Sequence, residues 1–210
     1  MRKLKLDIIK NCKLQLKLGL NIGSEGNISI KKGNKIFITP SGVDIKDLKS
    51  NSISELNLEG KNSNKVKPSS EIDLHLTIYK KRKEINAIVH CHSDWATILS
   101  CTRRNIPSFH YMVAEFGGEN IKCSKYATFG TKKLANFVYE ASIGRKGCLI
   151  ANHGQICFGE NIEEAMHLSI ALEKLSKHYY FCLLSQKLEK LSKVEITEVL
   201  KKFSSYKSRH

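Results

Sequence analysis

The sequence predicts a single α/β domain in which a mostly antiparallel sheet is covered by helices, and three observations predict it. Two short apolar patterns, residues 27–40 and 148–159, each read as strand, tight turn, strand. Segments with apolar residues at helical spacing lie before, between and after them, an order that suits hairpins packed under helices better than an all-parallel sheet. The chain has 210 residues and is 41% apolar, enough to bury one core, and residues 1–210 are expected to form one domain.

The first element is a helix over 3–19, carrying Leu4, Ile8, Ile9, Cys12, Leu16 and Leu20 and stopped by the glycines of "GLNIGSEGN". The hairpin "NISIKKGNKIFITP" turns at Gly33-Asn34 and closes at Pro40. Residues 50–68, rich in Ser, Asn and Lys, read as loop with a short strand near Ile53 and Leu56. A helix then starts in "PSSEIDLHLTIYKKRK", with Ser69 or Ser70 as N-cap, Glu71 in the first turn, and Ile72, His75 or Leu76, and Tyr79 as its stripe. "INAIVHCH" reads as a buried strand and "SDWATILSC" as a short helix. Thr131 caps a helix through "KKLANFVYEAS". The second hairpin, "CLIANHGQICFG", displays Asn152, His153 and Gly154 at its turn. Asn161 and Glu164 form a cap pair for the longest helix, whose stripe runs from Ile162 to Cys182, and a final helix covers about 195–203.

Composition narrows the function classes. No run of 18 apolar residues occurs, and the lysines scattered through the first 20 residues break any signal-like apolar core. This predicts a soluble, untargeted, cytoplasmic protein without a membrane partner. The seven cysteines are single, odd in number and lack a CxxC pair, as buried reduced thiols are. A net charge of +15 invites a nucleic-acid reading, but the lysines are spread over nearly every segment and do not interleave with aromatics. No nucleic-acid partner is expected.

The chemistry concentrates in a few positions. Side chains alternate along a strand, so His90 and His92 share a face, about 7 Å apart, while Cys91 points the other way. Two imidazoles on one face can converge on a metal ion; a pair of histidines hydrogen-bonded at a sheet end fits the same spacing. His153 on its tight turn is either a third ligand or a solvent-facing turn residue. Glu71 can ligate a metal and exchange a proton, or simply favour the helix dipole. The loops "NIGSEGNIS" and "TPSG", with Ser69 and Ser70, offer amides and hydroxyls of the kind that cradle phosphate, although ordinary turns use the same residues.

Taken in order, "GSEGNIS", "ITPSG", "PSSE", "HCH", "HYM", "YATFGT" and "NHG" resemble the class II aldolase and adducin-like family over almost the whole chain. Within it the branch acting on L-fuculose 1-phosphate is most similar, through residues 106–131. The resemblance implies a three-layer α/β/α sandwich and a homotetramer with active sites between subunits. It implies Zn2+ held by His90, His92, His153 and Glu71, with Glu71 also the catalytic base. Ser24, Asn27, Ser41, Gly42, Ser69 and Ser70 match phosphate-binding positions, and Phe129 matches a residue shaping the aldehyde pocket. Tyr111 from a neighbouring subunit matches the acid for the aldehyde oxygen, and Tyr206 matches a second tyrosine closing over the site. The implied activity is reversible cleavage of a ketose 1-phosphate such as L-fuculose 1-phosphate to dihydroxyacetone phosphate and L-lactaldehyde. Alternatives within the resemblance are L-ribulose-5-phosphate 4-epimerase, which has aspartate in place of Glu71, a methylthioribulose-phosphate dehydratase, and a non-catalytic adducin-like module, whose relatives lose the histidines. Glu115 and Phe116 depart from the small residues usual after "HYM", which bears on the aldehyde if that stretch borders the pocket.

Overall fold

The structure, a computed structural model, describes residues 1–207, the side chains of Ser204, Tyr206 and Lys207 excepted. Helix α1 (Arg2–Lys17) buries Ile8, Ile9, Cys12 and Gln15, one face at helical spacing. It stops because Gly19 takes a left-handed φ of 68°, which lets the Leu20 N–H reach the Gln15 carbonyl at 2.9 Å and the Gly19 N–H reach Leu16 at 3.2 Å. Strands β1 (Asn27–Lys32) and β2 (Lys35–Ile38) form the first hairpin, with Gly33 at φ 59° as the first of two turn residues. Strand β3 (Ser54–Asn57) is the short strand expected within 50–68.

Helix α2 spans Ile72–Lys81. Neither Ser69 nor Ser70 is its N-cap: Glu71 occupies that position and makes no capping bond, because its carboxylate is turned toward Asn27 and His90. Strand β4 (Ala87–Cys91) is fully buried and is followed by α3 (Asp94–Ser100). Two strands absent from the sequence reading come next, β5 (Ile106–Pro107) and β6 (Asn120–Cys123), separated by a 3-10 turn over Tyr111–Phe116. At two and four residues they are too short to show a period. Helix α4 (Lys132–Ser142) carries its expected cap, Thr131 Oγ1 accepting from the Leu134 N–H at 3.2 Å. Strands β7 (Gly147–Ile150) and β8 (Gly154–Gly159) form the second hairpin. Asn161 Oδ1 accepts from the Glu164 N–H at 2.8 Å and starts α5 (Ile162–Leu184). Helix α6 runs Lys193–Lys207, longer at both ends than expected.

The eight strands form one mixed sheet ordered β3-β2-β1-β4-β8-β7-β6-β5, antiparallel except where β6 pairs with β7. Alternation divides the central strands between two sides. Ile28, Ile30, Val89 and Cys91 pack with the α1 residues Ile8, Ile9 and Cys12 and with Ile162, Ala165 and Met166 of α5. Ile88, Ile156 and Phe158 pack with α2 and α4 instead. Asn27, Ser29 and His90 share that second side, facing Glu71, His75 and Tyr79 of the α2 segment. A polar strip thus lies between the end of the sheet and the start of α2. Among the described residues, no helix is long and apolar enough to cross a membrane.

Candidate metal centre and substrate cleft

His90 is the penultimate residue of β4, completely buried, with Nδ1 donating to the Gln155 carbonyl across the β4–β8 pair at 2.7 Å. That bond turns Nε2 inward, the arrangement in which a second partner fixes the orientation of a metal-binding histidine. Cys91 points to the opposite face, where its Sγ meets Gln15 and Ser169, so alternation does separate it from the histidines. His92 lies just past the strand, its N–H donated to the Asn21 side chain at 2.8 Å. The loop carrying Asn21 closes over the strand end because Gly26, at φ 62°, has no side chain. A Cβ there would sit 2.5 Å from the His90 carbonyl oxygen.

His153 comes from the β7–β8 turn, held by the Ser100 hydroxyl on its N–H at 3.2 Å. Asn152, before it, takes a left-handed φ of 54° and gives its N–H to the Ser100 carbonyl at 3.1 Å. Gly154 serves close approach: a Cβ would run into the Cys91 carbonyl and lie 3.3 Å from the His92 Cα. The turn therefore lies against the end of β4, which brings His153 Nε2 to 3.0 Å from His92 Nε2.

Glu71 meets these rings from the start of α2. Its Oε2 lies 3.0 Å from His90 Nε2 and accepts from Asn27 Nδ2 at 3.0 Å, while Oε1 lies 3.6 Å from His153 Nε2. One ligand atom from each of Glu71, His90, His92 and His153 falls within 4.8 Å of the others. Burial pushes the Glu71 carboxyl up, but the charge and hydrogen bond of His90, then His153 and the Asn27 amide, outweigh it and hold the group well below the usual carboxylate range. Burial lowers His90, yet Glu71 and the Gln155 carbonyl raise it overall. His92 and His153 are pushed down to about 3 and about 4 by burial and by repulsion from neighbouring imidazoles.

The residue set fits a cation. His90 Nε2 and His153 Nε2 both face His92 Nε2, at 3.1 and 3.0 Å, and one ring nitrogen cannot complement two others without a proton or an ion between them. Among the described residues Glu71 Oε1 is buried without a hydrogen-bond partner, a position that a divalent ion would satisfy.

Above the cluster lies a cleft of about 420 Å³ that brings together most of the positions singled out in the sequence. Ser24, Asn27, Ser41, Gly42, Ser69 and Ser70 line it with Glu71, His92 and His153, and Phe129 borders it, 66% exposed. Tyr126 and Asn152 also line it. Arg103 donates to Asn152 Oδ1 at 2.6 Å and sits 5.3 Å over the Tyr126 ring, a corner that the sequence reading did not assemble. Its elements lie far apart in the chain, and only the "NHG" turn hinted at it. Tyr111 is not in its own chain's cleft; it is 51% exposed and stacked on His110. The Tyr206 side chain lies outside the described residues. Glu115 bonds His167 at 2.7 Å and Phe116 is buried in the core, so neither borders this cleft.

A mixed-sheet α/β domain with a glutamate and three histidines beneath a hydroxyl-lined cleft has the architecture of a class II aldolase. Residues 6–180 match the family described as Class II Aldolase and Adducin N-terminal domain, and the chain belongs to that family. It is 42% identical to the 5-methylthioribulose-1-phosphate/5-deoxyribulose-1-phosphate aldolase of Rhodospirillum rubrum, over 90% of this chain and 86% of that one. It is 41% identical to the L-fuculose phosphate aldolase of Haemophilus influenzae, over 95% and 93%. A solved L-fuculose 1-phosphate aldolase superposes with a TM-score of 0.93 at 33% identity, covering 96% of each chain.

Proposed function

We propose that the protein is a zinc-dependent aldolase that reversibly cleaves a ketose 1-phosphate to dihydroxyacetone phosphate and an aldehyde. The observation that carries this reading is the convergence of Glu71, His90, His92 and His153 at the floor of a cleft lined by serines and glycines. Imidazole nitrogens with one carboxylate are a donor set that suits zinc. When bound, the ion supplies positive charge against the substrate oxygens on which negative charge grows as the carbon–carbon bond breaks.

The chain's own residues do the rest. Ser24, Asn27, Ser41, Gly42, Ser69 and Ser70 bind the phosphate with hydroxyls and amides next to the start of α2. In the cleavage direction the substrate hydroxyl next to the breaking bond gives its proton to Tyr111 of a neighbouring subunit. Glu71, ionised at rest, takes up that proton by way of Tyr111 and delivers it to the carbon left behind, which becomes the hydroxymethyl carbon of dihydroxyacetone phosphate, so both groups end as they began. In the synthetic direction Glu71 removes that proton, and Tyr111 protonates the aldehyde oxygen. The exposure of Tyr111, away from its own cleft, supports a homotetramer with sites between subunits. The two-sided packing of the sheet supports the three-layer α/β/α reading, and residues 1–210 as one domain.

L-Fuculose 1-phosphate, yielding L-lactaldehyde, is the first substrate reading. A 5-deoxyribulose 1-phosphate is the second, supported by the name of the Rhodospirillum relative and by the aromatic wall of Tyr126 and Phe129. Glu71, where the epimerase branch has aspartate, favours aldol cleavage over epimerisation, and three retained histidines favour an enzyme over an adducin-like module. The test is to assay purified protein with L-fuculose 1-phosphate, 5-deoxyribulose 1-phosphate and L-ribulose 5-phosphate, with and without a chelator. Chelator-sensitive release of dihydroxyacetone phosphate is expected. Cleavage that survives chelation, or zinc retained by the His92→Ala/His153→Ala double variant, overturns the metal assignment; epimerisation alone overturns the aldolase reading.

A further inference from the structure

On the sheet side of Glu71, an unbroken line of hydrogen bonds runs into the core. Asn27 Nδ2 donates to Glu71 Oε2 at 3.0 Å, and Asn27 Oδ1 lies 2.5 Å from His75 Nε2. His75 Nδ1 lies 2.6 Å from Ser29 Oγ, which lies 2.7 Å from the Tyr79 hydroxyl. Ser29, His75 and Tyr79 are 0% exposed, Asn27 4% and Glu71 6%, so water does not complete any of these bonds cheaply.

Chemistry fixes the direction of every bond in the line. An ionised carboxylate only accepts, so Asn27 must present its amide nitrogen to Glu71 and its oxygen to His75. That oxygen accepts, so His75 must carry its proton on Nε2. Burial pushes His75 down to about 3, so the ring is neutral at ordinary pH and its Nδ1 is a bare acceptor. The Ser29 hydroxyl must then donate to Nδ1, which leaves its oxygen to accept from Tyr79. Reversing any one bond strands two donors or two acceptors against each other in a buried site.

We propose that Tyr79, Ser29, His75 and Asn27 form a positioning chain that locks the Asn27 amide in one orientation and thereby fixes Glu71 for proton exchange with the substrate. The chain holds Oε2, while Oε1 makes no hydrogen bond among the described residues and is left to the ion and the substrate. None of the three residues behind Asn27 lines the cleft, so they act on turnover through Glu71 and not through contact with substrate. A carboxylate held to one rotamer loses less on reaching the transition state than one that must be oriented each cycle.

This inference rests on the aldolase reading for its kinetic arm and is independent of it in its spectroscopic arm. In metal-free wild-type protein labelled with 15N-histidine, the His75 ring should show a protonated Nε2 and a bare Nδ1 at neutral pH. A cationic ring, or the proton on Nδ1, overturns the chain. For turnover, His75→Leu should lower kcat on the order of 10- to 100-fold with KM changed by less than about 3-fold, since Ser24, Ser41, Gly42, Ser69 and Ser70, the phosphate-binding positions other than Asn27, do not hydrogen-bond to His75. His75→Gln, which retains an N–H for Asn27, should recover most of that loss. Equal kcat in the Leu and Gln variants overturns the positioning role. Should His75→Leu fail to fold, Ser29→Ala leaves His75 Nδ1 without its donor and should lower kcat while His75 keeps its Nε2 proton, held by Asn27 Oδ1; unchanged kcat in that variant overturns the positioning role. Wild-type protein that shows the expected ring signals but no aldol cleavage would sink the functional reading and leave the hydrogen-bond chain standing.

Discussion

Acidification should unfold the metal-free protein partly through His75, and the size of that contribution follows from its burial. In the folded chain His75 is held neutral, its pKa pushed from 6.5 down to about 3, first by burial and then by the charge of His90. The unfolded chain therefore takes up this proton first. Stability from His75 is fully present above pH 6.5 and is lost as the pH falls toward 3. A shift of this size corresponds to roughly 5 kcal/mol when complete, and to about 3 kcal/mol at a pH of about 4.5. His92 and His153, also depressed, lose stability over the same range, and Glu71 adds to the loss below its ordinary 4.5. His90 runs the other way: its raised pKa makes its contribution full below 6.5 and lost as the pH rises through the folded value. A difference measurement isolates His75. Urea unfolding of wild type and His75→Gln, both in chelator, is followed from about pH 7 down to about pH 4.5. Wild type should lose about 2 to 3 kcal/mol more than the variant over that interval, whatever constant offset the substitution adds. Parallel pH dependences would refute the assignment of a buried neutral imidazole at this position.

Two other substitutions probe the site from different sides. Glu71→Gln should retain the fold and slow hydrogen exchange at the hydroxymethyl carbon of dihydroxyacetone phosphate by about 10²- to 10⁴-fold, read by NMR in deuterated buffer; unchanged exchange removes Glu71 as the base. Gly26→Ala forces an L-residue to φ 62° and drives its Cβ against the His90 carbonyl and the Asn21 side chain. It should cost about 2 to 4 kcal/mol in urea unfolding and weaken metal retention, because displacing Asn21 frees the His92 N–H. Stability within about 0.5 kcal/mol of wild type would show that the loop does not need this close approach.

Whatever depended on periodicity or on short-range side-chain chemistry was legible in the sequence. Strand alternation alone separated Cys91 from His90, and the caps at Thr131 and Asn161 were legible because a cap needs only residues three positions apart. The same local logic misassigned the start of α2. Ser69 or Ser70 is the better cap by residue type, but Glu71 sits at the N-cap with its carboxylate drawn to partners 44 and 19 positions away in sequence, Asn27 and His90. Strands β5 and β6 escaped notice because two and four residues carry no period, and with them went the parallel β6–β7 pair.

His75 marks the limit of such reading most clearly. The helical stripe places it on the inward face of α2, where a histidine looks like one more core-facing side chain. Its two hydrogen bonds go to Asn27 and Ser29, 48 and 46 positions away, alternate residues on one face of β1. Only the antiparallel pairing of β1 with β4, which sets Asn27 opposite His90, brings that face beside the histidine cluster. The same register that assembles the four candidate ligands therefore also places the polar chain behind Glu71. A one-residue slip of β1 against β4 would turn Asn27 and Ser29 toward α1 and replace them with Ile28 and Ile30, leaving Glu71 and His75 without partners. The register is held by burying those two isoleucines on the α1 side, so the core packing of one face fixes the chemistry of the other.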